Sequence, residues 1–215
     1  MLVVGLTGGV ASGKTAVSQV LREEGATILD ADLIARELVQ PHQPAWEELR
    51  RAFGDEILNP DGSVQRKKLA AQIFSHPEKR EVLNAILHPR IRNEINARLS
   101  VIREKDPGAI VVVDAALLVE SGDYEGMDGV IVVSASETQQ VDRLREREGL
   151  SEDAARQILA SQTSVEERFR VADFVIRNEG SLEDTRRRAK EIFQALKRMA
   201  LRKENPPSPR EGDPA

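Results

Sequence analysis

The sequence holds 215 residues, with 31 Lys and Arg against 36 Asp and Glu, a formal net charge of -5 and no cysteine. That length suits one α/β domain with an insertion or two. The absent thiol excludes disulfides, thiol catalysis and thiolate metal sites, and the mild acidity carries no nucleic-acid signature. The 3 histidines form no HxxxH or HExxH spacing, which argues against a histidine-built metal centre.

Leu2 to Leu6 is a short β-branched apolar run ending at Thr7 and Gly8, the pattern of a buried parallel strand. It is too short to span a membrane and has no basic n-region, so a cytoplasmic protein without a membrane partner is expected. A glycine-rich loop follows. A helix is then predicted from about Lys14 to Glu24, with Val17, Val20 and Leu21 on one face and Gly25 as its stop. Ala26 to Leu29 reads as a second strand. Asp30-Ala31-Asp32 precedes a helical stretch around Leu33 to Val39, and Pro41 and Pro44 break it. From about Ala45 to Glu104 the pattern is helical, with turns expected at Asn59-Pro60-Asp61-Gly62 and His88-Pro89.

Ala109 to Val113 is the clearest strand, ending at Asp114, and Val130 to Val133 is another. Helices are predicted over Ser136 to Glu148 and over Ser151 to Val165, the latter capped by Ser151. A last strand spans Asp173 to Ile176. A terminal helix runs from Ser181 to Lys203, and the Pro-rich stretch 205–215 is expected to be disordered. Strands alternating with helices predict an α/β fold, a parallel sheet covered on both faces.

The octet Gly8-Gly9-Val10-Ala11-Ser12-Gly13-Lys14-Thr15 matches G-x-x-x-x-G-K-[ST] at every fixed position, between a strand and an amphipathic helix. Glycines let the backbone wrap close to phosphate, and the loop amides with the helix N-terminus form an anion nest. Lys14 then reaches the β- and γ-phosphates, Thr15 ligates Mg²⁺, and Ala16 continues the cradle. A nucleoside triphosphate is implied; the loop alone does not separate kinase, GTPase and motor.

Asp30 and Asp32 follow the second strand, where ligands sit in open α/β sheets. Two readings stand: a carboxylate that orients an acceptor hydroxyl and takes its proton, or helix capping by Asp30 with Asp32 in the first turn. Asp114 ends four apolar residues, the form of a Walker B strand that holds Mg²⁺, although many buried strands end in Asp. Arg143 and Arg147 are four apart and share a helix face, with Arg145 elsewhere; they grip phosphate or belong to a solvated face beside Glu146 and Glu148. Gly149 and the separate helix after it give this stretch the look of a lid. His88 reads as a structural cap before Pro89, and Arg66, Lys67 and Lys68 as solvent-facing. Asp123-x-x-Gly126 fits a nucleotide-switch pattern, but no guanine-reading Asn-Lys-x-Asp is present.

Taken together these residues resemble the dephospho-CoA kinase family. The resemblance rests on VVGLTGGVASGKTAV, ATILDADLIAREL, Phe53-Gly54 with Asp61-Gly62, Ile73-Phe74, Leu87-His88-Pro89 and Ala116-Leu117-Leu118-Val119-Glu120. Arg143, Arg147, Gln157-Ile158 with Gln162, Ala172-Asp173 and Asn178-x-Gly180 continue it, so that it spans about residues 2 to 195. It departs at Ala116, where the family usually has Pro, at Phe174, and at Thr15-Ala16, which replaces Ser-Thr.

The resemblance implies a three-layer P-loop NTPase fold. Its core would be about 1–35, 108–140 and 170–203, with a helical substrate-binding insertion at 36–107, a lid at 141–169 and a tail at 204–215. It implies ATP and Mg²⁺ as cofactors and dephospho-CoA as the substrate; a monomer or weak homo-oligomer is expected. Asp32 would be the general base, Arg143 and Arg147 lid arginines, Thr7 and His88 substrate contacts, and Asn178 a neighbour of the adenine.

Overall fold

In the computed structural model, residues 1–74 and 76–204 are described; the tail expected to be disordered lies outside them, apart from its first residue, Glu204. In chain order the elements are β1 (Leu2–Gly8), α1 (Lys14–Glu23), β2 (Thr27–Asp30), α2 (Ala31–Leu38), α3 (Pro44–Phe53) and a 3₁₀ turn (Asp55–Ile57). Then follow α4 (Arg66–Phe74), α5 (Pro77–Lys105), β3 (Ile110–Asp114), β4 (Gly129–Ser134) and α6 (Glu137–Glu148). The chain closes with α7 (Glu152–Ala160), α8 (Val165–Arg170), β5 (Phe174–Arg177) and α9 (Leu182–Glu204). It divides into two compact units, Met1–Ile28 with the chain from Ile102 onward, and Leu29–Val101.

The first unit is built on a sheet of order β2-β3-β1-β4-β5. β1 pairs in parallel with β3 on one side (Leu2 opposite Ile110) and with β4 on the other (Val4 opposite Gly129), and β4 pairs in parallel with β5. β3 and β4 are buried at every residue, which is why Ile110–Val113 and Val130–Val133 read as unbroken apolar runs rather than alternating ones. On one face Leu2, Val4 and Leu6 meet Val17, Val20 and Leu21 of α1 and Ala189, Phe193 and Leu196 of α9. On the other, Val130 and Val132 pack with Leu118, Phe169 and Val171. β1 ends at Gly8, as the sequence reads, with Thr7 and Gly8 still pairing with Val132 and Val133. This carries the glycine loop out at the strand with neighbours on both sides.

The second unit is helical, around Ala45, Leu49, Phe53, Ile57, Leu69 and Ile86. The expected turn at 59–62 closes on the Gly62 N–H to Asn59 carbonyl bond, and a single antiparallel bridge joins Leu58 to Val64. Trp46 Nε1 donates to the Gly62 carbonyl at 2.8 Å, tying that turn to α3.

Two local expectations are corrected. No turn forms at His88-Pro89: α5 runs through Pro89 without ending. Proline removes one helical N–H donor, and beside that gap Arg90 donates from Nη1 to the Ile86 carbonyl (2.6 Å) and from Nη2 to Glu48 (2.7 Å), bracing the helix while Ile86 is anchored in the core. The single helix expected over Ser151 to Val165 is two, because Ser164 starts a new one. Its hydroxyl accepts from the Glu167 N–H and the Glu167 carboxylate accepts from the Ser164 N–H, a reciprocal capping box.

Phe193 is the largest fully buried side chain and joins α9 to β1 and α1. Phe193→Ala is expected to lower the unfolding free energy by about 3–5 kcal/mol, read from the denaturant midpoint at unchanged slope; a midpoint equal to wild type would contradict this packing.

Candidate active site

The loop between β1 and α1 holds two residues in left-handed backbone conformations, Ala11 (φ 56°) and Gly13 (φ 97°). At Gly13 the conformation and the space both demand glycine. A Cβ there would stand 2.0 Å from Nδ2 of Asn178. That amide donates to the Ser12 carbonyl at 2.8 Å, and its oxygen accepts from the Thr185 hydroxyl at 2.7 Å. The main chain of Asn178 is held too, its N–H on the Ser134 carbonyl and its carbonyl on Arg143 Nη2.

Further side chains bind the outer rim of the loop. Arg143 Nη1 donates to the Ala11 carbonyl at 3.1 Å and Gln140 Nε2 to the Val10 carbonyl at 2.7 Å. Within the loop the Ser12 N–H donates to the Gly9 carbonyl at 3.1 Å, which closes the turn. No side chain caps the N-terminus of α1 among the described residues, which leaves its first N–H groups and the positive end of its dipole for an anion.

Lys14 Nζ donates to the Asp114 carboxylate, closing an ion pair between the loop and the end of β3. The Thr15 residue is exposed at the first turn of α1. Thr7 is fully buried, and its hydroxyl donates to the Ala116 carbonyl at 3.3 Å, tying the loop after β3 to β1.

The two arginines predicted to share a helix face have different surroundings. Arg143 lies against the loop, whereas Arg147 is 59% exposed and pairs with the adjacent Glu148. Gln140, Gln162, Glu120 and Arg168 received no role from local sequence. Gln162 Oε1 accepts from the Val10 N–H at 3.0 Å. Arg168 is buried and donates to Glu120 at 2.8 Å, and a Cβ on Gly9 would meet Gln140, Arg168 and Gln162 together. The spacing of Gln140 and Arg143, one helical turn apart, is a local signal by which Gln140 could have been grouped with Arg143.

In the second unit, Asp30 caps α2 by accepting from the Leu33 N–H at 2.9 Å, as the capping reading of that residue holds. Asp32 lies in the first turn of α2 and lines a cavity of about 490 Å³ together with Arg36, Arg66 and apolar side chains that include Leu49, Leu69 and Leu87. His88, half-buried on α5, follows Leu87 but is not part of that lining. Arg66 is exposed, as expected, while also bordering this cavity. Partial burial and the like charge of Arg36 pull its guanidinium below the usual arginine value, and Asp32 opposes this.

A parallel sheet of this order with a phosphate loop leaving its middle strand is the fold of a P-loop kinase, an enzyme that draws on a nucleotide. The family model described as dephospho-CoA kinase matches residues 2–184. A dephospho-CoA kinase of Leifsonia xyli is 43% identical, the match covering 92% of this chain and 100% of the relative. Among solved structures, a Thermus thermophilus protein aligns with TM-score 0.75 and 34% identity over 91% of this chain and 97% of the other. A dephospho-CoA kinase from Campylobacter jejuni aligns with TM-score 0.68 and 26% identity over 92% and 98%. The chain belongs to the dephospho-CoA kinase family. No described helix is long and apolar enough to cross a membrane.

Gly13→Ala adds a methyl group where Asn178 already sits and imposes about 1–3 kcal/mol of backbone strain. Nucleotide affinity, measured by calorimetry, is expected to fall about 10- to 100-fold. Equal affinity in the variant would show that this loop is not the nucleotide cradle.

Proposed function

We propose that this chain transfers the γ-phosphoryl group of ATP to the ribose 3′-hydroxyl of dephospho-CoA, forming coenzyme A in the last step of its biosynthesis. The observation that carries the reading is the phosphate loop, complete in sequence and braced from outside, in a chain of this family. Loading the loop with nucleotide exchanges the partner of Lys14: the ammonium moves from Asp114 to the β- and γ-phosphates, where it balances charge during transfer.

Asp114 is thereby freed, and with the Thr15 hydroxyl it offers the hard oxygen donors that suit Mg²⁺. No group of three or more acidic or histidine side chains suited to a metal occurs among the described residues. The ion would therefore be held mainly by nucleotide and water, as Mg²⁺ usually is. When bound, it neutralises the phosphate oxygens.

Asp32 orients the 3′-hydroxyl and accepts its proton. Arg143 braces the loop and faces the charge that builds there. Arg147, on the solvated last turn of α6, reaches the phosphates when the segment 141–169 closes and keeps water from intercepting the transferred group. The insertion 36–107, with His88, carries the acceptor, and Thr7 is its proposed contact from β1. Asn178 and its neighbours border the adenine. The working form is a cytoplasmic monomer or weak homo-oligomer without a nucleic-acid partner, in keeping with the net charge of -5.

ADP release with ATP, Mg²⁺ and dephospho-CoA, against adenosine, AMP and shikimate as alternative acceptors, tests the substrate. Turnover is expected on dephospho-CoA alone; turnover on a different acceptor only would reject the reading. Asp32→Asn is expected to lower kcat about 10²- to 10⁴-fold with KM for ATP unchanged. A kcat near wild type would remove Asp32 from the role of base.

A further inference from the structure

We infer that Arg36 and Arg66 form a subsite for the pyrophosphate of the acceptor, an inference that rests on the acceptor reading above. Both line the cavity that also carries Asp32. Asp32 and Arg36 are four residues apart on α2 and so lie one above the other on the same helix face, about 5–6 Å between Cβ atoms. Arg66 opens α4 and lines the same cavity.

The charge pattern is what calls for a ligand. Elsewhere in this unit Arg50 faces Asp55, Arg90 faces Glu48, and Arg98 faces Glu37 and Glu94, while Arg51 and Arg80 are simply exposed; Arg36 and Arg66 differ from all of these in lining one cavity together. Neither Arg36 nor Arg66 has an ion pair or a side-chain hydrogen bond to its guanidinium among the described residues. Each has instead the other's positive charge nearby, with Asp32 as a single opposing carboxylate. Two guanidinium groups and one carboxylate leave the cavity short of negative charge, and an anion entering it would relieve the repulsion between the arginines.

Dephospho-CoA supplies that anion in the right place. Its pyrophosphate diester carries two negative charges and hangs from the 5′ position of the same ribose whose 3′-hydroxyl is phosphorylated. A hydroxyl set against Asp32 therefore leaves the pyrophosphate one helical turn away, within the span of an arginine side chain on α2. Planar guanidinium groups bind phosphate oxygens two at a time, which a lysine cannot reproduce. The remaining wall, with Val39, Leu49, Leu69 and Leu87, suits the uncharged part of the molecule beyond the pyrophosphate.

Steady-state kinetics of Arg66→Ala, Arg36→Ala and Arg66→Lys test this. Each alanine variant is expected to raise KM for dephospho-CoA about 10- to 100-fold, with KM for ATP and the saturated rate close to wild type; Arg66→Lys recovers part of the loss. Binding of dephospho-CoA is also expected to become less sensitive to salt in the alanine variants, which a merely structural role would not produce. Both side chains are exposed, so thermal unfolding of the variants serves as the folding control. Unchanged KM and salt dependence, in an enzyme that turns over dephospho-CoA, overturn the subsite and leave the activity standing. Wild-type protein that fails on dephospho-CoA rejects the activity instead. Calorimetry with inorganic pyrophosphate, beside a saturating non-hydrolysable ATP analogue, then judges the subsite alone: Arg66→Ala is expected to abolish the binding, and equal binding in both proteins overturns it.

Discussion

The backbone between β1 and α1 must be held in a shape that most residues avoid, and the rest of the site depends on that. Ala11 and Gly13 sit at positive φ, at a cost of order 1–3 kcal/mol for the non-glycine residue. That cost is offset by donors arriving from distant parts of the chain: Gln140 and Arg143 on α6, and Asn178 just after β5. Each binds a carbonyl on the outer rim. These bonds set the loop's shape without a ligand, so a charge developing there demands little reorganisation.

Charge is organised by the same means. Lys14 with Asp114, and Arg168 with Glu120, place two ion pairs of low exposure around the loop. Such pairs add little net stability, because desolvation consumes most of the Coulomb gain. Their value lies in position. Lys14 is held at the loop with a partner it can exchange for phosphate, and Arg168 is fixed beside Gly9, where an unpaired cation would be far more costly.

Some of what the chain encodes locally was legible, and some of it was misread. Serine at 151 and at 164 both precede helices, and Ser164 with Glu167 spells a capping box, yet only the Ser151 cap entered the single-helix reading of 151–165. Pro89 was read as a boundary because proline disfavours helix in its neighbourhood. The helix survives there because Ile86 is packed in a core and Arg90 is available to bridge to α3. Neither compensating group lies in the dipeptide that prompted the reading.

The sequence by itself determined the elements whose physics is local: the glycine loop, since only certain residues tolerate its dihedrals, and the apolar strands β1, β3 and β4, since a parallel sheet buries both faces; at Asp30 it left two readings, and the structure shows the cap. Tertiary structure alone decided which polar groups face one another. Helical spacing sets the angle between Arg143 and Arg147 but not the direction in which either points. Burial of Val141 and Leu144 orients α6 so that Arg143 meets the loop and leaves Arg147 in the solvated last turn. Arg66 remains exposed, as its sequence reads, and only the packing of Leu69 of the same helix beside Leu49 sets it at the cavity. Packing fixes absolute orientation because apolar burial depends on contacts far apart in the chain, and no window of sequence contains both partners.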